Sequence, residues 1–104
     1  MKPLFIRGHL DGTSIRHMLI DGDASVNILL LSLFNKRGHI EGDLKHTNLS
    51  LSGFAGDPTE AKGIICKELM VGSKTVPTAF FVVDVKGRYN VLLGRDWIHA
   101  NDEE

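Results

Sequence analysis

The stretch most suggestive of chemistry is "MLIDGDASVNIL", residues 18–29, where two carboxylates interrupt an otherwise apolar segment. Residues 18–20 are typical of a buried strand, and the tripeptide Asp-Gly-Asp follows directly at 21–23. Carboxylates that are held close together cannot both ionise at low cost, so they share a proton and can act as acid and base. Asp and Gly are also the commonest turn residues, so the tripeptide alone favours a plain loop after a strand. Its interpretation depends on the surrounding elements.

Composition narrows the classes of protein. The chain has 104 residues, of which 42% are hydrophobic and 24% charged, which predicts a single soluble domain with one modest core. A net charge of -1 without a cluster of basic residues argues against a nucleic-acid partner. The apolar runs, such as residues 28–31, are too short to cross a membrane, and residues 1–10 lack the apolar core of a secretory signal. We therefore expect an intracellular, cytoplasmic protein, whose single Cys66 is a core or interface thiol.

Turn signals separate short apolar segments along the chain, which predicts a mainly β protein. "PLFIRGHL" and "SIRHMLI" flank Asp-Gly-Thr at 11–13, a sequence typical of a tight hairpin, and Gly-Ser-Lys at 72–74 lies within a second predicted hairpin. "VNILLLSLFNKRG" predicts a strand that leads into a short helix closed by Gly38. "RYNVLL" predicts the last strand, and "GRDWIHAN" a short terminal helix with Trp97 in the core.

The middle of the chain predicts a half-exposed strand followed by a loop. In "TNLSLSG" Leu49 and Leu51 alternate with polar residues, and residues 54–63 are rich in Gly, Pro and Asp. On either side of this segment the order of elements repeats: strand, turn, strand, apolar run, Gly-containing motif, short helix. We therefore expect an internal duplication in which the motifs at 21–23 and 94–96 occupy equivalent places near a pseudo-two-fold axis.

Three motifs in this order, "LIDGDASVNIL", "GFAGDPTEAKG" and "YNVLLGRDW", resemble the retropepsin-like aspartic protease domain of plant gypsy-type retrotransposon polyproteins. The resemblance runs from about Leu4 to about Asn101. It implies a single mainly β domain over residues 1–104, a retropepsin-like β-barrel half with an internal pseudo-two-fold repeat, a flap hairpin and short helices.

The resemblance also implies roles for three groups of residues. Asp21 matches the catalytic aspartate of the family. The residues that follow it would support the catalytic loop, namely Gly22, Asp23, Ala24 and Ser25. A flap at about 53–62 would bind substrate through Phe54, Ala55, Gly56, Asp57 and Pro58. Structural support would come from Gly94, Arg95 and Asp96.

The implied reaction is peptide-bond cleavage at the axis of a homodimer. Each copy would supply one Asp21, and the two carboxylates would share a proton and activate a water molecule. The flap would close over an extended polypeptide and bind its backbone. The implied partners are a second copy and a polypeptide substrate, with no cofactor and no membrane. The five histidines lack the spacing of metal ligands, so no metal site is expected.

Two departures from the family pattern leave two functions open. Gly22 lacks the hydroxyl of the usual Thr or Ser. Asp23 replaces a Gly, and this change predicts crowded negative charge and a backbone strain of roughly 1 kcal/mol. The sequence ends at "HANDEE", where family domains continue into a strand that interleaves with the partner, so we expect the C-terminal strand to be missing. The chain is thus interpreted as an aspartic endopeptidase of retroelement origin or, alternatively, as a catalytically inactive dimerisation or peptide-binding module.

Overall fold

The computed structural model describes residues 4–55 and 57–101, and for residues 52–55 and 57 it describes the backbone alone. Within this part most residues lie in strands, as the sequence predicts. The strands are β1 Leu4–Leu10, β2 Thr13–Ile20, β3 Asn27–Leu30, β4 Ser50–Ala55, β5 Asp57–Glu60, β6 Gly63–Val71, β7 Lys74–Val83 and β8 Val91–Leu93. The helices are α1 Leu31–Lys36, α2 Arg95–Asn101 and a single 3₁₀ turn at Glu41–Asp43.

Six of the strands form a closed barrel in the order β1-β2-β8-β3-β7-β6, and β4 and β5 form a separate two-stranded sheet. The barrel is built from two equivalent halves, β1-β2-β3-α1 and β6-β7-β8-α2. In each half the second strand pairs in parallel with the third strand of the other half, as β2 with β8 and β7 with β3. The third strands, β3 and β8, pair with each other. The predicted internal duplication is confirmed.

The equivalence expected between the two motifs is wrong. Asp21 follows β2, so its counterpart in the other half follows β7. Gly94 follows β8, and its counterpart is the start of α1 after β3. The two motifs nevertheless meet, because the parallel pairing of β2 with β8 places Ile20 opposite Leu93 and ends both strands at the same edge.

Turn chemistry explains the hairpin and the helix end that the sequence predicts. Asp11 and Gly12 have φ values of 48° and 86°, as both central residues of a two-residue hairpin turn of type I′ require. Gly38 has a φ of 82° immediately beyond α1, where a left-handed residue ends a helix.

Strand β3 is buried along its whole length because a core covers each of its faces. The main core lies on one face, and the second core lies on the other. The main core consists of Leu10, Ile15, Met18, Leu29, Leu33, Phe34, Ile65, Leu69, Phe80, Val82, Val91, Leu93 and Trp97. The second core consists of Ile28, Leu30, Leu51, Val83 and Leu92. The prediction that Trp97 anchors α2 in the core is confirmed.

Three local predictions are wrong in whole or in part. The core position expected for Cys66 is wrong, because Cys66 alternates with the buried Ile65 along β6 and is exposed on the outer face, whereas its place in an interface stays a prediction. Leu49 does not share the burial of Leu51, since it precedes β4 and is 39% exposed. Residues 54–63 are not simply a loop, because β5 pairs there with β4.

The tip of the first hairpin is fixed to β6 by one carboxylate. Asp11 Oδ1 accepts a hydrogen bond from the Glu68 backbone N–H at 2.9 Å, and Lys67 Nζ lies 3.2 Å from Asp11 Oδ2. The Glu68 hydrogen bond is the main cause that lowers the pKa of the Asp11 carboxyl, and Lys67 adds to it, while desolvation opposes both. The ionised form is therefore favoured more strongly in the folded chain than in the unfolded one.

Asp11→Asn is expected to remove a pH-dependent part of the stability. Since the folded pKa is lowered, the contribution is present above about pH 4 and is lost as the pH falls through the folded value. The free energy of unfolding from urea titrations should be lower in the variant by less than about 1 kcal/mol at neutral pH, because solvent screens the exposed pair. This difference should shrink below pH 4. The exposed Asp84 provides the control, and an Asp84→Asn variant showing the same pH-dependent difference would contradict the assignment.

Candidate active site

The loop between β2 and β3 holds Asp21 by its backbone and by its own side chain. The Asp21 N–H donates to the Leu93 carbonyl of β8 at 3.0 Å, and the Ala24 N–H donates to the Asp21 carbonyl at 3.1 Å. Asp21 Oδ1 accepts a hydrogen bond from the Asp23 N–H at 2.9 Å. The carboxylate is thereby oriented within a tight turn and remains half-buried. Oδ2 makes no hydrogen bond to any residue that the structure describes.

The strain expected at Asp23 is absent. Within the described residues only Asp11 and His17 combine a side chain with a positive φ, so Asp23 occupies ordinary backbone space. Its N–H is used to orient Asp21, and its side chain is exposed. An aspartate is tolerated at this position because the turn uses only its backbone N–H and does not require a left-handed conformation.

Gly94 lies against the backbone of the same loop. A Cβ atom added to Gly94 would collide with the Val26 carbonyl oxygen and would lie 2.6 Å from the Ala24 carbonyl oxygen. The φ of Gly94 is not positive, so a left-handed conformation is not the reason for a glycine here. A glycine is required because two backbones approach each other closely. The supporting role of Gly94 in catalysis stays a prediction.

Helix α2 begins on the loop. The Arg95 N–H donates to the Ala24 carbonyl at 2.8 Å, and the Asp96 N–H donates to the Ser25 carbonyl at 3.2 Å. The first N–H groups of a helix have no partner within the helix, and here the loop supplies two of the acceptors. The Arg95 side chain adds a hydrogen bond from Nη1 to the Gly22 carbonyl at 3.1 Å. The structure thus brings together the residues predicted at 21–25 and 94–96.

Asn27 is a supporting residue that the sequence analysis missed. Its side chain is buried, with Oδ1 accepting from the Gly94 N–H at 2.9 Å and Nδ2 donating to the Ala79 carbonyl at 3.2 Å. One amide thus links β3, β7 and the start of α2. The available signal was a single carboxamide inside the apolar run of residues 26–31.

Asn27→Ala is expected to lower the free energy of unfolding by about 1–3 kcal/mol, because it leaves the buried Gly94 N–H without an acceptor. Urea unfolding monitored by Trp97 fluorescence would measure the change. Asn35→Ala, on the exposed face of α1, is the matched control and should stay within about 0.5 kcal/mol of the parent. Equal losses in the two variants would show that the Asn27 bridge does not stabilise the site.

Tyr89 is the second residue that was missed. It is half-buried and packs against the second core. Burial raises the pKa of its phenol, and the nearby negative charge of Asp21 raises it further. The hydroxyl therefore stays protonated near the Asp21 carboxylate. The sequence contained Tyr89 within the third motif without any feature that marked it as a neighbour of Asp21.

A cavity of about 380 Å³ lies beside the loop. Residues 23–26 line one side of it, and residues 49–51, at the start of β4, line the other. The cavity therefore joins the Asp21 loop to the base of the β4–β5 hairpin. Its lining combines apolar and polar residues.

The predicted flap coincides with this hairpin. β4 and β5 pair in antiparallel fashion, and Ala55 pairs with Asp57 across the tip. Pro58 is exposed on β5. Gly56 and the side chains of Phe54, Ala55 and Asp57 lie outside the described part, so their contact with substrate stays a prediction.

Within residues 4–55 and 57–101, no group of three or more His, Cys, Asp or Glu side chains could hold a metal ion. No helix in those ranges has the length and apolar composition needed to cross a membrane.

Comparison with known proteins identifies the fold. No family model and no curated protein sequence matches the chain. Among solved structures, the EIAV protease complexed with the inhibitor HBY-793 superposes with a TM-score of 0.75 at 17% identity, covering 99% of this chain and 91% of that chain.

Two cellular proteins superpose almost as well. The retroviral protease-like domain of Ddi1 from Leishmania major gives a TM-score of 0.70 at 14% identity, over 96% of this chain and 78% of that chain. A retropepsin-like aspartic protease from Rickettsia conorii gives 0.68 at 17% identity, over 93% of this chain and 70% of that chain. The chain has the retropepsin fold.

Proposed function

We propose that this chain is one subunit of a homodimeric aspartic endopeptidase of retroelement origin, of the plant gypsy type. The observation that carries the proposal is the fixation of Asp21, whose backbone is held by β8 and whose Oδ1 is oriented by the Asp23 N–H. The retropepsin fold supports it, because the solved structures that share this fold include aspartic proteases.

The chemistry requires a second copy. Two Asp21 carboxylates facing each other across a two-fold axis would share one proton and titrate as a unit. The ionised partner would take a proton from a water molecule, and the protonated partner would donate to the scissile carbonyl oxygen. Oδ2 of Asp21 is the atom available for this exchange, since Oδ1 already accepts a backbone hydrogen bond.

The substrate is proposed to be an extended polypeptide. An extended chain could add to the β4–β5 hairpin by backbone hydrogen bonds, and its side chains would fill alternate pockets. The cavity between residues 23–26 and 49–51 is one such pocket, and Tyr89 would line the approach to Asp21. The lining mixes apolar residues, Val26 and Leu51, with polar ones such as Asp23 and Ser25, so the pocket would admit apolar and polar side chains.

The alternative is a catalytically inactive retropepsin fold that dimerises or binds peptides. It is favoured by Gly22, which offers no hydroxyl to brace two loops across an axis, and by the exposed Asp23 carboxylate beside Asp21. In that case the cavity would still accept a peptide without cleavage.

A measurement of the oligomeric state tests the endopeptidase and the dimerisation module, because both require the chain to self-associate. Sedimentation velocity across a wide concentration range is expected to show a weak, reversible dimer, and the peptide-cleavage rate should rise with the square of the concentration below the dimer dissociation constant. Cleavage would be detected as new termini by mass spectrometry of an unstructured protein substrate. A chain that stays monomeric at the highest concentration would contradict both the endopeptidase and the dimerisation module.

A further inference from the structure

A second cavity lies far from Asp21, at the other end of the barrel. It has a volume of about 210 Å³. Leu10 is at the end of β1 beside the hairpin turn, whereas Asp21 follows the opposite end of the eight-residue β2, which spans about 26 Å when extended. The cavity is therefore separate from the candidate active site.

The floor of this cavity is apolar. Leu10, Leu29 and Leu33 form it, with exposures of 8%, 3% and 7%. A cavity of about 150 Å³ lined by such residues can hold benzene, so the floor accommodates a body of at least that size. Burial of apolar surface on this floor would stabilise a bound ligand.

The rim of the cavity is basic. Arg37, His39 and Lys67 line it, although they come from the end of α1, the segment after it and β6. Such a group was not apparent from the sequence, where these cations are dispersed. The barrel brings them to one mouth.

The three side chains of the rim differ in how closely a carboxylate approaches them. Lys67 Nζ lies 3.2 Å from Asp11 Oδ2, and its side chain is 17% exposed. His39 stacks on Phe34 with ring centroids 5.1 Å apart, and its Nδ1 lies 3.4 Å from an Asp43 carboxylate oxygen. Both carboxylates are also engaged by backbone N–H groups. Lys67 is therefore held in position with donors left over, because an ammonium carries three N–H donors. His39 is fixed by its stacking on Phe34 and its contact with Asp43.

Arg37 is the cation of the rim for which the described residues supply no counterion. Among the residues that the structure describes, its guanidinium makes no hydrogen bond or ion pair. A guanidinium presents paired donors that match a carboxylate in two-point geometry. The mouth thus offers the guanidinium of Arg37 and the positioned ammonium of Lys67 above an apolar floor.

We propose that this cavity is a binding site for a small amphipathic monoanion, a carboxylate with an apolar body of about five or six carbons. The apolar body occupies the space above the three leucines, and the carboxylate binds Arg37 with support from Lys67. A neutral analogue gains the apolar contact alone, and an amine analogue meets the like charge of Arg37 where a carboxylate would bind. This site does not depend on the proposed protease function.

Binding would be measured by two-dimensional NMR titration of the full chain at neutral pH with hexanoate, hexan-1-ol and hexylammonium. We expect hexanoate to shift the amides of residues 33–39 and 67 saturably, with a dissociation constant on the order of 1 mM, as suits a ligand of this size. Hexan-1-ol should bind at least about tenfold more weakly, and hexylammonium should give no saturable shift. Hexan-1-ol binding as tightly as hexanoate, or shifts confined to the Asp21 loop, would overturn the proposal.

Arg37→Gln is expected to weaken hexanoate at least about tenfold, because it removes the two-point contact while leaving the leucine floor intact. Lys36→Gln is the matched control, since it removes an equal charge from the adjacent exposed position, which does not line the cavity, and should leave the affinity unchanged. Both positions are exposed, so both variants should retain the parent spectrum away from the substitution. Equal affinities for the two variants would show that hexanoate does not use the Arg37 rim.

Discussion

Replacing Asp21 with asparagine is expected to abolish peptide cleavage, with a loss of about a thousandfold or more in rate. The substitution removes the group that holds and passes the shared proton. It should preserve the loop, because an asparagine Oδ1 can accept the same hydrogen bond from the Asp23 N–H that Asp21 accepts at 2.9 Å. Initial rates on an unstructured peptide would be measured at concentrations where sedimentation shows a dimer, and thermal unfolding would verify that the variant is folded.

Asp23→Gly is the informative companion to this variant. Since Asp23 carries no backbone strain, any gain from the glycine must come from removing a carboxylate close to the pair of Asp21 residues. We expect a several-fold rise in rate, and an optimum at mildly acidic pH in parent and variant, because the pair must retain one proton. Cleavage that survives Asp21→Asn would overturn the mechanism. If neither the parent nor Asp23→Gly cleaves, the inactive module becomes the better interpretation.

Gly94→Ala is expected to produce the largest loss of stability. The new Cβ would collide with the Val26 carbonyl and lie 2.6 Å from that of Ala24. The backbone cannot move away without breaking the Asn27–Gly94 and Arg95–Ala24 hydrogen bonds. We expect a loss of about 3 kcal/mol, which lowers the melting temperature by roughly 12–24 °C in a domain of this size.

Gly42→Ala is the control for the Gly94 experiment. A Cβ at Gly42 would have its nearest neighbour, the Ile40 Cδ1 atom, at 3.8 Å, which is ordinary contact. Its unfolding free energy should change by less than about 0.5 kcal/mol. Similar melting temperatures for the two variants would mean that the loop can yield to a side chain at Gly94, and that the close approach does not hold the site.

Local sequence signals predicted most of the fold. The Asp11–Gly12 turn, the helix that ends before Gly38, and the buried strand Asn27–Leu30 each depend on neighbouring residues and the backbone angles that they allow. The duplication was also visible, because each half repeats the same order of elements. The error in that repeat was to align Asp21 with Gly94, two places that become adjacent through β2–β8 pairing rather than by symmetry.

The candidate site was predictable only in part, because motifs name residues and do not give contacts. The motif of residues 18–29 indicated Asp21, and the residues around Gly94 were placed beside it by resemblance. Asn27 was missed because its role requires Gly94 and Ala79, which lie 67 and 52 positions away in the chain. The strain assigned to Asp23 was wrong because a family pattern specifies a residue type, whereas φ is decided by the turn actually formed.

The sequence by itself determined the strands, the turns and the presence of an aspartate at the end of an apolar segment, since these follow from propensities and spacing over a few residues. Only the tertiary structure decided which distant groups meet. Barrel closure placed the Leu93 carbonyl on Asp21 and the backbone of Gly94 on Ala24. It also gathered Arg37, His39 and Lys67 around three leucines. These contacts join residues far apart in the chain, and their geometry is set by strand pairing and packing of the whole barrel.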